Sequence, residues 1–160
     1  MQNMIKKCGI SATGTWGISA ILAFSCLLLL TSPCRAANFT VNGNGTVTDN
    51  LTRLMWQQED DEVLRNWDAA IDYCETLALA GYEDWRLPNI RELQSITDDS
   101  RYDPAIDSVA FPGTDSTLYR SSSTSASMAE NSWSVNFSNG NVSSNFKTNN
   151  YFVRCVRGGK

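Results

Sequence analysis

Four aspartates, Asp98, Asp99, Asp103 and Asp107, fall within ten residues of one another. Carboxylates at this density can crowd hard oxygens around a cation such as calcium, or supply an acid and a base to a glycosidic bond. The spacing is not that of an EF-hand and lacks its glycine, so the same oxygens serve equally well as helix and turn caps in a solvated loop. A second group, Arg120, Lys147, Arg154 and Arg157, would grip a sulfated or carboxylated glycan if the fold gathered it on one face; otherwise these side chains make internal ion pairs or bind backbone carbonyls. Trp56, Trp67, Trp85 and Trp133 offer either core packing or rings on which sugars could stack. The chain has no histidine, which removes the Ser-His-Asp and Cys-His nucleophile systems and the commonest metal ligand. No Gly-rich phosphate loop follows a strand and no Cys-x-x-Cys occurs, so nucleotide, zinc and thiol-redox sites lack support. The expectation is a protein that is not an enzyme and needs no cofactor, with calcium the one ion its loops could hold.

What must position these groups begins after an export signal. Lys6 and Lys7 form a positive start, Ile18 to Leu30 is largely apolar, and Cys34-Arg35-Ala36 offers a small-x-small cleavage site, so residues 1–36 read as a signal peptide. A retained anchor is the alternative, although the apolar stretch is well short of the roughly 20 residues a spanning helix needs. Residues 37–160 then form a single domain with room for one core. Lys6, Lys7 and Arg35 leave with the signal, so 10 of the 13 basic residues remain against all 17 acidic ones, a formal charge of about −7. Nucleic acid is excluded as a partner, because it needs a basic face to neutralise phosphates. Of the five cysteines, Cys8, Cys26 and Cys34 also leave. The remaining Cys74 and Cys155 read as a disulfide formed in an oxidising compartment, with a reactive thiol as the rival reading.

Local signals outline the elements. Residues 39–56 alternate Val41 and Val47 with polar residues around Asn42-Gly43 and Asn44-Gly45, which predicts short strands and tight turns. Asn66 caps a helix running to about residue 80, with Trp67, Ala70, Ile71, Cys74, Leu77 and Ala78 on one face and Gly81 as a left-handed stop. In Trp85-Arg86-Leu87-Pro88-Asn89-Ile90-Arg91-Glu92-Leu93 the proline holds Leu87 extended, and Asn89 and Glu92 have capping-box spacing for a second helix over residues 90 to about 97. Residues 98–113 read as loop, and Leu118-Tyr119 as a short strand. Trp133, Val135 and Phe137 alternate with polar residues up to Asn139-Gly140, a type I′ hairpin signal leading to Val142. Residues 151–156 form the last strand, with Tyr151, Val153 and Cys155 on one face and Phe152, Arg154 and Val156 on the other.

Several of these blocks carry a resemblance. The Trp85 to Leu93 run, Gly45 to Trp56, Tyr119-Arg120-Ser121-Ser122, Trp133 to Phe137 and Val153 to Arg157 occur in the order seen in the C-terminal domain family of the Legionella collagen-like protein. The chain resembles that family over about residues 42 to 158, and more distantly resembles sulfatase-modifying enzymes, which carry a C-type-lectin-like fold. The resemblance implies an α+β, C-type-lectin-like fold: two helices and a small twisted antiparallel sheet, closed by a helix-to-last-strand disulfide between Cys74 and Cys155. It also implies an exported recognition module that binds extracellular glycans, sulfated ones included, in adhesion, and associates with itself as a trimer. The chain departs from calcium-dependent C-type lectins in lacking their Glu-Pro-Asn or Gln-Pro-Asp loop. The alternative is an envelope module that is structural or binds another protein. A diverged sulfatase-modifying-type enzyme ranks last, since it would need a reactive cysteine pair of its own. The place expected is the periplasm, the cell surface or the medium, with no stable membrane span once the signal is removed.

Overall fold

The computed structural model describes residues 38–158; the signal peptide expected over residues 1–36 lies outside them. The chain runs β1 (Phe39–Val41), β2 (Thr46–Asp49), β3 (Met55–Gln57), α1 (Trp67–Glu75), α2 (Ile90–Ser95), β4 (Leu118–Thr124), β5 (Asn131–Asn136), β6 (Asn141–Phe146) and β7 (Val156–Arg157). The class is α+β with two helices and one disulfide, as expected, but the strands form two antiparallel sheets instead of one. The first has the order β1-β2-β3-β7 and the second β4-β5-β6. No helix among the described residues is long and apolar enough to cross a membrane.

The segment leading into β7 joins the sheets. Tyr151 bridges to Arg65, Phe152 to Tyr119 and Val156 to Arg86, so only Val156 and Arg157 complete a ladder where a strand from residue 151 was expected. The predicted alternation survives this loss of regularity. Phe152 and Val156 pack into the larger core with Trp56, Leu93, Ile106, Phe111, Tyr119, Val135 and Phe137. Val153 and Cys155 face a second cluster with Ala70, Cys74, Trp85 and Leu87. Cys74 and Cys155 are bonded there across a sequence separation of 81, their Cα atoms 5.5 Å apart, which ties α1 to the chain end.

Two local expectations need correction. Asn66 does cap α1, but the helix stops at Thr76, not near residue 80. Thr76 donates its hydroxyl to the Asp72 carbonyl at 2.7 Å and so occupies an acceptor at the last turn. The chain then turns on Ala80 and Gly81, both at positive φ, with Leu79 and Tyr82 exchanging backbone bonds, and the Trp85 indole donates to the Leu79 carbonyl. Gly81 therefore serves that reversal and not the helix end. Nor is the hairpin a two-residue type I′ turn. Asn136 pairs with Asn141 across a four-residue loop in which only Gly140 has positive φ, whereas type I′ requires it at both central residues. The loop over residues 98–113 contains no regular element, yet it buries Ala105, Ile106, Ala110 and Phe111 in the core.

Candidate functional site

An open cleft of about 320 Å³ lies between two segments far apart in sequence. One wall is Asn38, Phe39, Asp49, Leu51 and Thr52; the other is residues 95–100 together with Asp107. The first wall is set by the turn after β2. Asp49 accepts the Leu51 amide at 2.8 Å and the Thr52 hydroxyl at 2.6 Å, which folds residues 50–53 back and leaves the Leu51 side chain 79% exposed at the rim. Phe39 is held edge-on against Phe111, with ring centroids 5.0 Å apart.

The second wall starts from α2. Its capping box is complete: the Asn89 side chain accepts the Arg91 and Glu92 amides, and Glu92 Oε2 accepts the Asn89 amide at 2.9 Å. Glu92 also receives both Arg86 Nη atoms, at 2.8 and 2.7 Å. Burial would raise the Glu92 carboxyl, but the Arg86 fork and the Asn89 amide outweigh it and hold the pKa below its ordinary value. With α2 fixed at its start, Leu93 and Ile96 are anchored in the core, and the exposed edge of residues 95–100 faces the cleft.

Among the described residues no three His, Cys, Asp or Glu side chains come together to hold an ion, the four sequence-predicted aspartates included. Their oxygens do turn work. Asp98 accepts the Ser100 amide and hydroxyl and pairs with Arg101 Nε at 2.8 Å, and these bonds, the Ser100 hydroxyl first, hold its carboxyl below the ordinary range. Asp107 Oδ1 accepts the Val109 amide, with Arg101 Nη2 at 3.9 Å. Asp103 does not line the cleft. Asp99 lines it, exposed, with no hydrogen bond or ion pair to the described residues. The site is therefore a pair of polar walls with carboxylate, amide and hydroxyl groups, three apolar side chains, Phe39, Leu51 and Ile96, and no lysine or arginine in the lining.

The four candidate cations do not form a surface patch. Arg120 and Arg154 are wholly buried, which corrects their assignment as ligand grips. Arg154 bonds the Gln57 and Gln58 carbonyls, Asp60 and Thr114, and Tyr119 donates to the same Asp60 oxygen at 2.6 Å. Arg120 reaches Ser132 Oγ at 2.7 Å and the Phe146 and Asn149 carbonyls, lies 4.3 Å over the Tyr151 ring, and has no carboxylate partner among the described residues. Burial pushes its pKa down. Arg157 forks onto Asp84 and covers Tyr82, while Lys147 sits 4.0 Å over the Trp67 ring. Trp56 and Trp85 are core; Trp67 and Trp133 are half-buried, and Lys147 occupies a face of Trp67 that a sugar would need.

Sequence reasoning missed the first wall. The Asp49-x-x-Thr52 turn was a legible signal, but nothing local reveals that it comes to face residues 95–100. Asp60, within the run Glu59-Asp60-Asp61-Glu62, carries no local sign that it holds Arg154 and Tyr119. A family model, that of the Lcl C-terminal domain, matches residues 45–157. No curated protein matches the chain.

Proposed function

The chain belongs to the Lcl C-terminal domain family, and from that premise we propose that it is an exported, non-catalytic recognition module that binds an extracellular saccharide in adhesion. The observation that carries this reading is the cleft, whose walls alternate hydroxyl, amide and carboxylate groups with the apolar Phe39 and Leu51. Sugar hydroxyls both donate and accept, so a carboxylate such as Asp99 on one wall and the Asn38 amide on the other suit sugar hydroxyls, and apolar side chains suit the C–H faces of a pyranose. Four carboxylates in the lining, Asp49, Asp98, Asp99 and Asp107, would repel sulfate. The ligand of this cleft is accordingly a neutral or amino sugar and not a sulfated one. The absence of histidine and the engagement of both mature cysteines in the disulfide support a binding role over catalysis of the sulfatase-modifying kind.

The same reading takes the fold as C-type-lectin-like. Its support is that β1 and β7, from the two ends of the domain, share one sheet, and that the disulfide ties α1 to the last strand. The place is the periplasm, the surface or the medium, supported by the disulfide. A second reading, a protein-binding envelope module, is favoured by the exposed apolar side chains Leu51, Tyr102 and Val109, which are 79, 74 and 81% exposed.

The test is a glycan array with the mature domain and its Asp99→Asn and Leu51→Ser variants, at low and physiological salt and with a chelator. Binding of neutral or amino sugars that both variants weaken and the chelator leaves intact supports the cleft. Salt-sensitive binding of sulfated glycans, unaffected by either variant, refutes it. No binding to any glycan leaves the protein-binding module as the working reading.

A further inference from the structure

The hydrogen-bonding polarity of the cleft is more one-sided than its composition. Four hydroxyls line it, and each has already given away its single proton. Thr52 Oγ1 donates to Asp49 Oδ2 at 2.6 Å, Ser95 Oγ to the Glu92 carbonyl at 2.7 Å, Thr97 Oγ1 to the Gln94 carbonyl at 2.8 Å and Ser100 Oγ to Asp98 Oδ1 at 2.6 Å. Carbonyl and carboxylate oxygens only accept, so these partners fix the direction of all four bonds. What the hydroxyls keep for a ligand is lone pairs. The backbone amides of Leu51, Thr52 and Ser100 are likewise spent, on Asp49 and Asp98. Among the side chains of the lining, only that of Asn38 retains a free donor.

The carboxylates add negative charge to this acceptor surface. Asp49, Asp98 and Asp107 each give an oxygen to neighbouring backbone amides, and Arg101, which pairs with the last two, stands outside the lining. Asp99 gives neither of its oxygens to any described residue. A ligand that fits such walls brings donors and positive charge.

An ammonium group has three donors and no acceptor, and its hydrogen bonds to carboxylates are stronger than neutral ones. An N-acetyl group on the same ring carbon loses the charge, keeps one donor and adds a carbonyl, whose lone pairs the walls oppose. A lysine side chain offers the same ammonium, but the peptide around it carries a carbonyl acceptor at every residue. In an amino sugar the ring hydroxyls supply further donors, and the C–H face of the ring meets Phe39, Leu51 and Ile96. Resting on the saccharide reading, we propose that the cleft recognises a sugar whose amine is free and protonated, a hexosamine unit of a de-N-acetylated oligosaccharide. Asp99 holds the ammonium, and ring hydroxyls donate to the proton-spent oxygens of Thr52, Ser95, Thr97 and Ser100.

Titration calorimetry of the mature domain tests this with a β-linked glucosamine tetramer, its fully N-acetylated counterpart and the corresponding glucose tetramer, which differ at one ring carbon only. The amine form is expected to bind at least about tenfold tighter than the other two and to weaken as salt is added. Asp99→Asn, which keeps the size and removes the charge, should abolish most of that advantage. Asp99 is exposed and bonded to no described residue, so the variant keeps the fold, and the three ligands on the unaltered chain are decisive without it. An N-acetylated or glucose tetramer that binds as tightly as the amine overturns the proposal and leaves the saccharide reading standing, as does an amine preference that Asp99→Asn leaves intact. A tetralysine peptide that binds as tightly as the amine tetramer overturns it in favour of a basic protein partner. Failure of all three tetramers to bind overturns it too, and failure of every sugar on the array removes the saccharide reading with it.

Discussion

Replacing Glu92 with alanine tests whether the α2 cap is the anchor of the cleft wall. The substitution removes the carboxylate that accepts the Asn89 amide at 2.9 Å and both Arg86 nitrogens at 2.7 and 2.8 Å, leaving Arg86 only the Gly158 carbonyl at 3.0 Å. Loss of one half of a capping box costs about 1 kcal/mol. The ion pair is neither surface nor core, since the side chains are 34% and 16% exposed. Exposed pairs contribute below about 1 kcal/mol and broken buried ones cost about 3 to 5 kcal/mol, so after discounting for solvent about 1 to 2 kcal/mol is expected here. The total is about 2 to 3 kcal/mol, read as a lowered urea midpoint with an unchanged slope. Glu92→Gln keeps an acceptor for the Asn89 amide and should lose roughly half as much. An Arg86→Met and Glu92→Ala cycle isolates the pair, with an expected coupling of about 1 to 2 kcal/mol. A loss below about 0.5 kcal/mol, the size of an ordinary surface change, would refute the reasoning, as would a coupling indistinguishable from zero.

Three further outcomes follow from the same geometry. Replacing Cys74 and Cys155 together with alanine opens a loop with a sequence separation of 81 and should cost about 4 to 5 kcal/mol in chemical denaturation by the loop-entropy argument, while a thiol assay of the unreduced wild-type domain should find no free thiol. Asp60→Ala leaves the fully buried Arg154 without its carboxylate and Tyr119 without its acceptor, a loss of about 3 to 5 kcal/mol by the same assay; adding Arg154→Met should recover part of it. Acid should destabilise the domain through carboxyls whose folded pKa is depressed. Glu92, with an ordinary value of 4.5, and Asp61 and Asp98, with 3.8, contribute stability that is fully present above those values and lost as pH falls through the lower folded ones. The urea midpoint should therefore fall below about pH 4.5, and less steeply in Glu92→Gln.

Features that depend on a few neighbouring residues were legible from the chain alone. Asn89 and Glu92 form the expected capping box because proline, cap and partner lie within five residues. The Cys74–Cys155 bond followed from the single pair left once residues 1–36 are read as a signal, and the two faces of residues 151–156 followed from the period of extended chain, which holds even where the ladder does not. Tertiary structure decided what depends on partners far away. Thr76 ends α1 early, with the chain beyond it turned back so that Leu79 meets Trp85, and the cleft exists because residues 38–52 come to face residues 95–107. The arginines show the reason most plainly. Sequence gives a guanidinium its charge, but only the fold decides whether carbonyls and Asp60 surround it, as for Arg154, or a serine hydroxyl and two backbone carbonyls do, as for Arg120. A side chain's type is local, whereas its desolvation and its counter-charge are set by chain brought in from elsewhere.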